Sequence, residues 1–170
     1  EPIVSKAEDL DRLKMPLPTD GMGGQSLEIY RYIAERIEGD VPPAVPDMQG
    51  PLNTASMIWS QEDFMVAMYE TPEAVHRLLD MATTHIISVY KHFRDNYPSA
   101  SLMSWPPAYF PRSMGVAMTE DFMHLLSPDL YAEFGLPYVN RIAREFGGVF
   151  VHCCGQYKPH WPSVKKFHNL

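Results

Sequence analysis

Both cysteines of this 170-residue chain stand side by side behind a histidine, in the stretch VFVHCCGQ at 149–156. An imidazole and a thiolate two positions apart can close on one transition-metal ion, at about 2.0 Å from nitrogen and about 2.3 Å from sulfur, and mixed nitrogen and sulfur donors favour zinc over magnesium or calcium. The β-branched and aromatic run Val149–Cys153, ended by Gly155, predicts a strand. Successive side chains on a strand point to opposite faces, so His152 and Cys154 share one face and Cys153 takes the other, as a small buried hydrophobe. Two ligands fall short of the three or four that a zinc site takes, and a cysteine at a strand end also serves plain packing. Spacing alone leaves both readings standing.

The surrounding elements must position these groups. TDGMGGQS at 19–26 reads as a Gly-rich turn, with no G-x-G-x-x-G or Walker pattern to make it a phosphate cradle. After it Leu27, Tyr30, Ile33, Ala34 and Ile37 fall at helical spacing, with Gly39 as the stop. Residues 41–51 predict a short buried strand and LNTASMIW a compact helix. Thr71 and Pro72 open a long helix whose stripe Val75, Leu78, Leu79, Ala82, Ile86, Val89 and Phe93 runs to about Asn96. Two further strands are predicted near 101–105 and 114–119. A helix then starts at Ser127-Pro128, is kinked or divided by Pro137, and is stopped by Gly147 and Gly148. Strands alternating with helices indicate an α/β fold with a parallel sheet.

Hydrophobic residues make up 45% of the chain, enough for a packed core, and 14 Lys and Arg against 21 Asp and Glu leave a net charge of −7. That balance argues against a nucleic-acid or anionic-lipid surface. There is no apolar run of membrane-spanning length, and EPIVSKAEDLDRL is too acidic and broken for a secretory leader. The expectation is a soluble, cytoplasmic protein with reduced thiols, acting on small molecules.

Four segments, in this order, resemble the uroporphyrinogen decarboxylase-like superfamily, which includes zinc-dependent corrinoid:thiol methyltransferases. They are GPLNTAS at 50–56, the ED-F…TPEAVHRLLD region at 62–80, LSPDLYAEFGLPYVNRIA at 126–143 and VHCCG at 151–155. The resemblance implies a (β/α)8 TIM barrel about twice this length, so residues 1–170 read as the central part of a single barrel domain, with its N- and C-terminal parts elsewhere. A half barrel leaves strand edges and apolar core bare, so unless the missing half exists elsewhere, association as a homo-oligomer or instability is expected.

In the methyltransferase branch an H-x-C motif at a strand end, with a cysteine far downstream, holds zinc. His152 and Cys154 match the first part, and no cysteine follows Cys154. In the decarboxylase branch a tyrosine follows the Gly-Pro stretch, where Met57 stands here. The resemblance therefore implies a zinc-dependent methyltransferase that passes a methyl group from a methyl-corrinoid, or a corrinoid protein, to a thiol. Two alternatives stay open: a uroporphyrinogen decarboxylase of porphyrin biosynthesis, acting on a tetrapyrrole substrate, and a non-catalytic relative that binds a corrinoid or other ligand.

Further candidates have two readings each. Glu120 and Asp121 follow an apolar run where barrel loops gather an active site, and the superfamily often carries an acidic pair near this place. They either orient a ligand or complete a metal shell, or they are first-turn capping residues. Trp105 and Tyr109, with Phe110 and Pro106, Pro107 and Pro111, make an aromatic loop that lines a cofactor pocket or packs on the rim. Arg112 beside it meets a carboxylate or phosphate, or is a solvated charge. His85 and His92, two helical turns apart, are flank residues, and His160 and His168 carry no role alone.

Overall fold

The computed structural model describes residues 2–38, 42–105 and 108–170, and of Ser104, Trp105, Ala108, Tyr109 and Arg112 the backbone alone. In chain order it holds α1 (Gly21–Ala34), α2 (Pro51–Ile58), α3 (Gln61–Glu70), α4 (Pro72–Asn96), β1 (Ser104–Trp105), β2 (Ala108–Tyr109), β3 (Val116–Thr119), α5 (Pro128–Phe134), α6 (Leu136–Phe146), β4 (Val149–His152) and α7 (Trp161–Val164).

The parallel pair β3 and β4 is the centre of the architecture, in the register Val116↔Val149 through Thr119↔His152. On the other side of β3, Gln49 bridges Thr119 in parallel. There the Gly50 N–H donates to the Thr119 carbonyl at 2.7 Å and the Thr119 N–H to that of Met48 at 2.9 Å. Three chain segments thus end side by side. All four residues of β3 are buried, and the Tyr90 hydroxyl of α4 donates to the Ala117 carbonyl, which ties the long helix to the back of this strand. The described residues form a mixed α/β arrangement with one β-α-β crossover, from β3 through α5 and α6 to β4, and do not close into a barrel.

α4 matches its predicted bounds. Val75, Leu78, Leu79, Ala82, Ile86 and Phe93 are buried, and Tyr90 takes the place expected of Val89. Each fully buried aliphatic side chain contributes about 1.5 to 3 kcal/mol, so this stripe seats the helix. Thr71 holds the N-cap position without a side-chain bond to the helix. Ser127 does cap α5, accepting from the Leu130 N–H, and Ser60 caps α3 by accepting from Asp63. The predicted division near Pro137 falls at Gly135, with Pro137 in the first turn of α6; Gly147, at φ +87°, ends that helix.

Several expectations are corrected. The Gly-rich turn is the start of α1, which begins at Gly21. A Cβ on Gly23 would lie 2.4 Å from the Pro18 carbonyl oxygen and one on Gly24 2.5 Å from that of Thr19, so the glycines admit a tight entry into the helix. The predicted stop, Gly39, lies outside the described residues. The strand over 41–51 reduces to isolated bridges at Ala44 and Gln49, because Pro42, Pro43 and Pro46 have no N–H to give a ladder. The strand near 101–105 survives as Ser104–Trp105, paired antiparallel with Ala108–Tyr109, while Ser101 bridges Ala44. Pro106 and Pro107 lie outside the described residues. No helix among the described residues is long and apolar enough to cross a membrane.

Candidate metal centre

The last ladder pair, Thr119↔His152, sets the site. One step beyond it, the Glu120 N–H donates to the His152 carbonyl at 2.8 Å, and the chain after β3 turns into a short 3-10 helix, Asp121–Leu125. The chain after β4 continues as Cys153 and Cys154. The Cys154 N–H donates to Asp121 Oδ1, and His152 Nε2 lies 3.0 Å from Cys154 Sγ. One donor atom from each of Asp121, His152 and Cys154 falls within 4.8 Å of the others. Ligands at 2.0 to 2.3 Å from a common ion in tetrahedral geometry sit about 3.3 to 3.8 Å apart, so the His152–Cys154 pair, at 3.0 Å, would open by about half an ångström to seat a zinc-sized ion with Asp121. Imidazole nitrogen, thiol sulfur and carboxylate oxygen are also the donor types that zinc accepts.

Although β4 ends at His152, one residue earlier than predicted, the side chains keep the alternation. Cys154 is exposed beside the imidazole, whereas Cys153 packs with Val151 against the core, half-buried where full burial was expected because it borders an apolar cavity. That cavity, of about 220 Å³, lies among Met123, Trp161 and Phe167. The Cys154 thiol is held above its ordinary value by lost solvation, the Asp121 charge and hydrogen bond, and the Asp47 charge. A cation at the three donors would oppose the two negative charges and favour the thiolate.

Glu120 has a different place from Asp121. It is fully buried; Oε1 accepts the Leu52 N–H at 2.9 Å, and Oε2 has no partner among the described residues. Burial pushes its pKa up to about 8, against the downward pull of the Leu52 bond and with a further push from Asp121. A Cβ on Gly50 would lie 1.6 Å from Oε2, so the carboxyl occupies the room that a glycine leaves. Asp121 sits in a first helical turn, as the capping reading expects, but its carboxylate receives the Cys154 N–H from the turn after β4.

The aromatic loop comes close to this face: Phe110 packs on Phe150 at 5.1 Å between ring centroids, and Phe150 shares the strand face of His152. Trp105, Tyr109 and Arg112 flank it in sequence, but their side chains lie outside the described part of the structure. Sequence reasoning passed over Asp47 and Asn53 and gave His160 no role. Asp47 accepts from Thr119 Oγ1 at 3.0 Å beside the site. Asn53, in the GPLNTAS segment, receives the Phe122 N–H at 2.7 Å. His160 is buried edge-on against Tyr131, at 5.2 Å between rings, and burial holds its pKa below the ordinary value. No local pattern marks any of them, since each contact spans distant parts of the chain.

Residues 1–169 match the uroporphyrinogen decarboxylase (URO-D) family. No curated protein matches the chain in sequence. Among solved structures, a methyltransferase from Methanosarcina mazei has the same fold over 94% of this chain, with a TM-score of 0.75 at 21% identity. The chain spans 44% of that protein's length.

Proposed function

The chain belongs to the uroporphyrinogen decarboxylase family, and we propose that within it this sequence is the metal-holding part of a methyltransferase that moves a methyl group from a corrinoid, free or on a partner protein, to a thiol. The observation that carries this reading is the convergence of Asp121, His152 and Cys154 from the ends of two adjacent parallel strands. These three residues would hold zinc: His152 through Nε2, Cys154 through its sulfur, and Asp121 through a carboxylate oxygen. Bound there, zinc supplies a Lewis-acidic position at which an incoming thiol loses its proton near neutral pH.

The chain's own residues do the rest of the local work. Asp121, accepting from the Cys154 N–H, holds the turn after β4 so that the sulfur faces the imidazole. Cys153, turned toward the apolar layer, keeps its own thiol off the metal-facing side. Glu120, buried and held on the Leu52 N–H, keeps the β3 end against α2 without adding a second carboxylate to the open face. The position at the C-terminal ends of parallel strands is where barrels of this kind place their chemistry.

The test is zinc content of the parent, Cys154→Ala and Cys153→Ala after purification without chelator. Parent and Cys153→Ala are expected to retain zinc and Cys154→Ala to lose it; equal zinc in all three overturns the assignment. Turnover of uroporphyrinogen by the whole protein, unaffected by chelation, would move the reading to a decarboxylase.

A further inference from the structure

The two residues on either side of Asp121 are both tied to the first turn of α2. Glu120 is held through its side chain, with Oε1 accepting the Leu52 N–H at 2.9 Å. Phe122 is held through its backbone, its N–H donating to Asn53 Oδ1 at 2.7 Å. Asn53 is itself oriented: its Nδ2 donates to Gln49 Oε1 at 2.8 Å, and Gln49 is the residue bridged to Thr119 at the end of β3. Asn53 is also buried, at 8% exposure, so no bulk water stands ready to replace it at the Phe122 N–H. The Phe122 ring packs on Phe64 of α3, 5.6 Å between centroids, which holds the same turn from its apolar side. Asp121 therefore projects from a backbone segment pinned on both flanks, and its carboxylate reaches the Cys154 N–H.

We propose that Asn53 is a positioning residue of the metal centre: by accepting the Phe122 N–H it sets the turn from which Asp121 presents its carboxylate to His152 and Cys154. Among the described residues no hydrogen bond joins Asn53 to the three donors, and it acts on the ion through the backbone of Phe122. The inference rests on the metal-site reading given under Proposed function. Groups that orient a ligand from behind typically change metal affinity by about tenfold to a hundredfold when removed. The side-chain type matters in a particular way. An acceptor oxygen at this position is required, so aspartate, which keeps that oxygen but loses the bond to Gln49 and buries a charge, should retain more of the effect than leucine.

The experiment uses Co²⁺ as a spectroscopic stand-in for zinc, titrated into the metal-free parent chain and the Asn53→Leu and Asn53→Asp variants, with thermal unfolding recorded for each. The parent is expected to develop sulfur-to-cobalt charge-transfer and visible d–d bands. Asn53→Leu should bind at least about tenfold more weakly and show altered d–d intensity, reporting a changed oxygen donor, while the sulfur band persists. Asn53→Asp should fall between the parent and Asn53→Leu in affinity, with a d–d intensity nearer the parent's. If Asn53→Leu does not fold, Asn53→Ser carries the test, because its shorter side chain leaves the Phe122 N–H without its acceptor.

Equal affinity and equal spectra in parent and variant would overturn the proposal, as would Asn53→Asp failing as badly as Asn53→Leu. A drop in unfolding temperature with an unchanged cobalt spectrum would assign Asn53 to stability alone and overturn it too. A parent that binds no cobalt at all removes the metal-site reading, and this inference falls with it.

Discussion

Glu120 and Asp121 are consecutive carboxylates after one strand end, yet the first is fully buried on the α2 side and the second opens toward the His152 imidazole and the Cys154 thiol just past β4. The same division separates Cys153 from Cys154 on the neighbouring strand, one sulfur against the core and one beside His152. The two strand ends thus have a packed side, made of Glu120, Gly50, Leu52 and Cys153, and an open side, made of Asp121, His152 and Cys154. The difference shows how one residue step changes a side chain's task. On the packed side a polar group has to be neutral or hydrogen-bonded, because burial penalises charge. On the open side water and a cation are accessible, and charged donors can gather.

That division can be broken from the packed side first. Gly50→Ala places a Cβ 1.6 Å from Glu120 Oε2 and 3.1 Å from the Thr119 carbonyl oxygen. Overpacking of this kind should cost about 3 kcal/mol in urea unfolding; a loss of only a few tenths would mean that Glu120 moves freely and the clamp is soft. From the open side, Asp121→Ala removes a direct donor and should lower zinc affinity by about a hundredfold or more, beyond the range for groups that only orient a ligand, with a small drop in the unfolding midpoint of the metal-free protein from the lost Cys154 bond. Unchanged affinity in a competition titration would remove Asp121 from the donor set.

Proton linkage sharpens the contrast. Glu120 keeps its proton in the fold up to about pH 8, against an ordinary value of 4.5. The unfolded chain releases that proton first, so the stability this group confers is complete below pH 4.5 and is lost as the pH rises through about 8. Within that window the metal-free parent should lose about 1.4 kcal/mol per pH unit from this residue, and Glu120→Gln should flatten the decline. Identical slopes for parent and variant between pH 6 and pH 7 would place the carboxyl in a wetter setting than its burial implies. The smallest effect belongs to Cys153→Ala, expected to cost under about 1 kcal/mol in unfolding. Its zinc content should match that of the parent.

Much of the helical framework was readable from the residues, because its signals are local. The apolar stripe of α4, the Ser127-Pro128 start of α5 and the glycine after α6 each depend on neighbours within a few turns. The Gly-rich start of α1 misled, since a glycine cluster ordinarily marks a turn and only the close approach of the Pro18 and Thr19 carbonyls gives it a helical purpose. The Pro-rich segment before α2 misled in the opposite sense: its apolar run suggested a strand that its missing N–H groups reduce to two bridges.

His152 and Cys154 could be paired from sequence because alternation along a strand is a property of the backbone itself and needs no knowledge of the rest of the fold. Which acidic residue joins them is a different kind of question. Asp121 lies 33 residues from Cys154, and Glu120 lies 68 residues from the Leu52 N–H that draws it inward. Only the register of β3 on β4, together with the docking of α2 over the end of β3, decides that one carboxylate is buried and its neighbour is presented to the sulfur. Those contacts arise from packing between distant segments, and no short stretch of the chain encodes them alone.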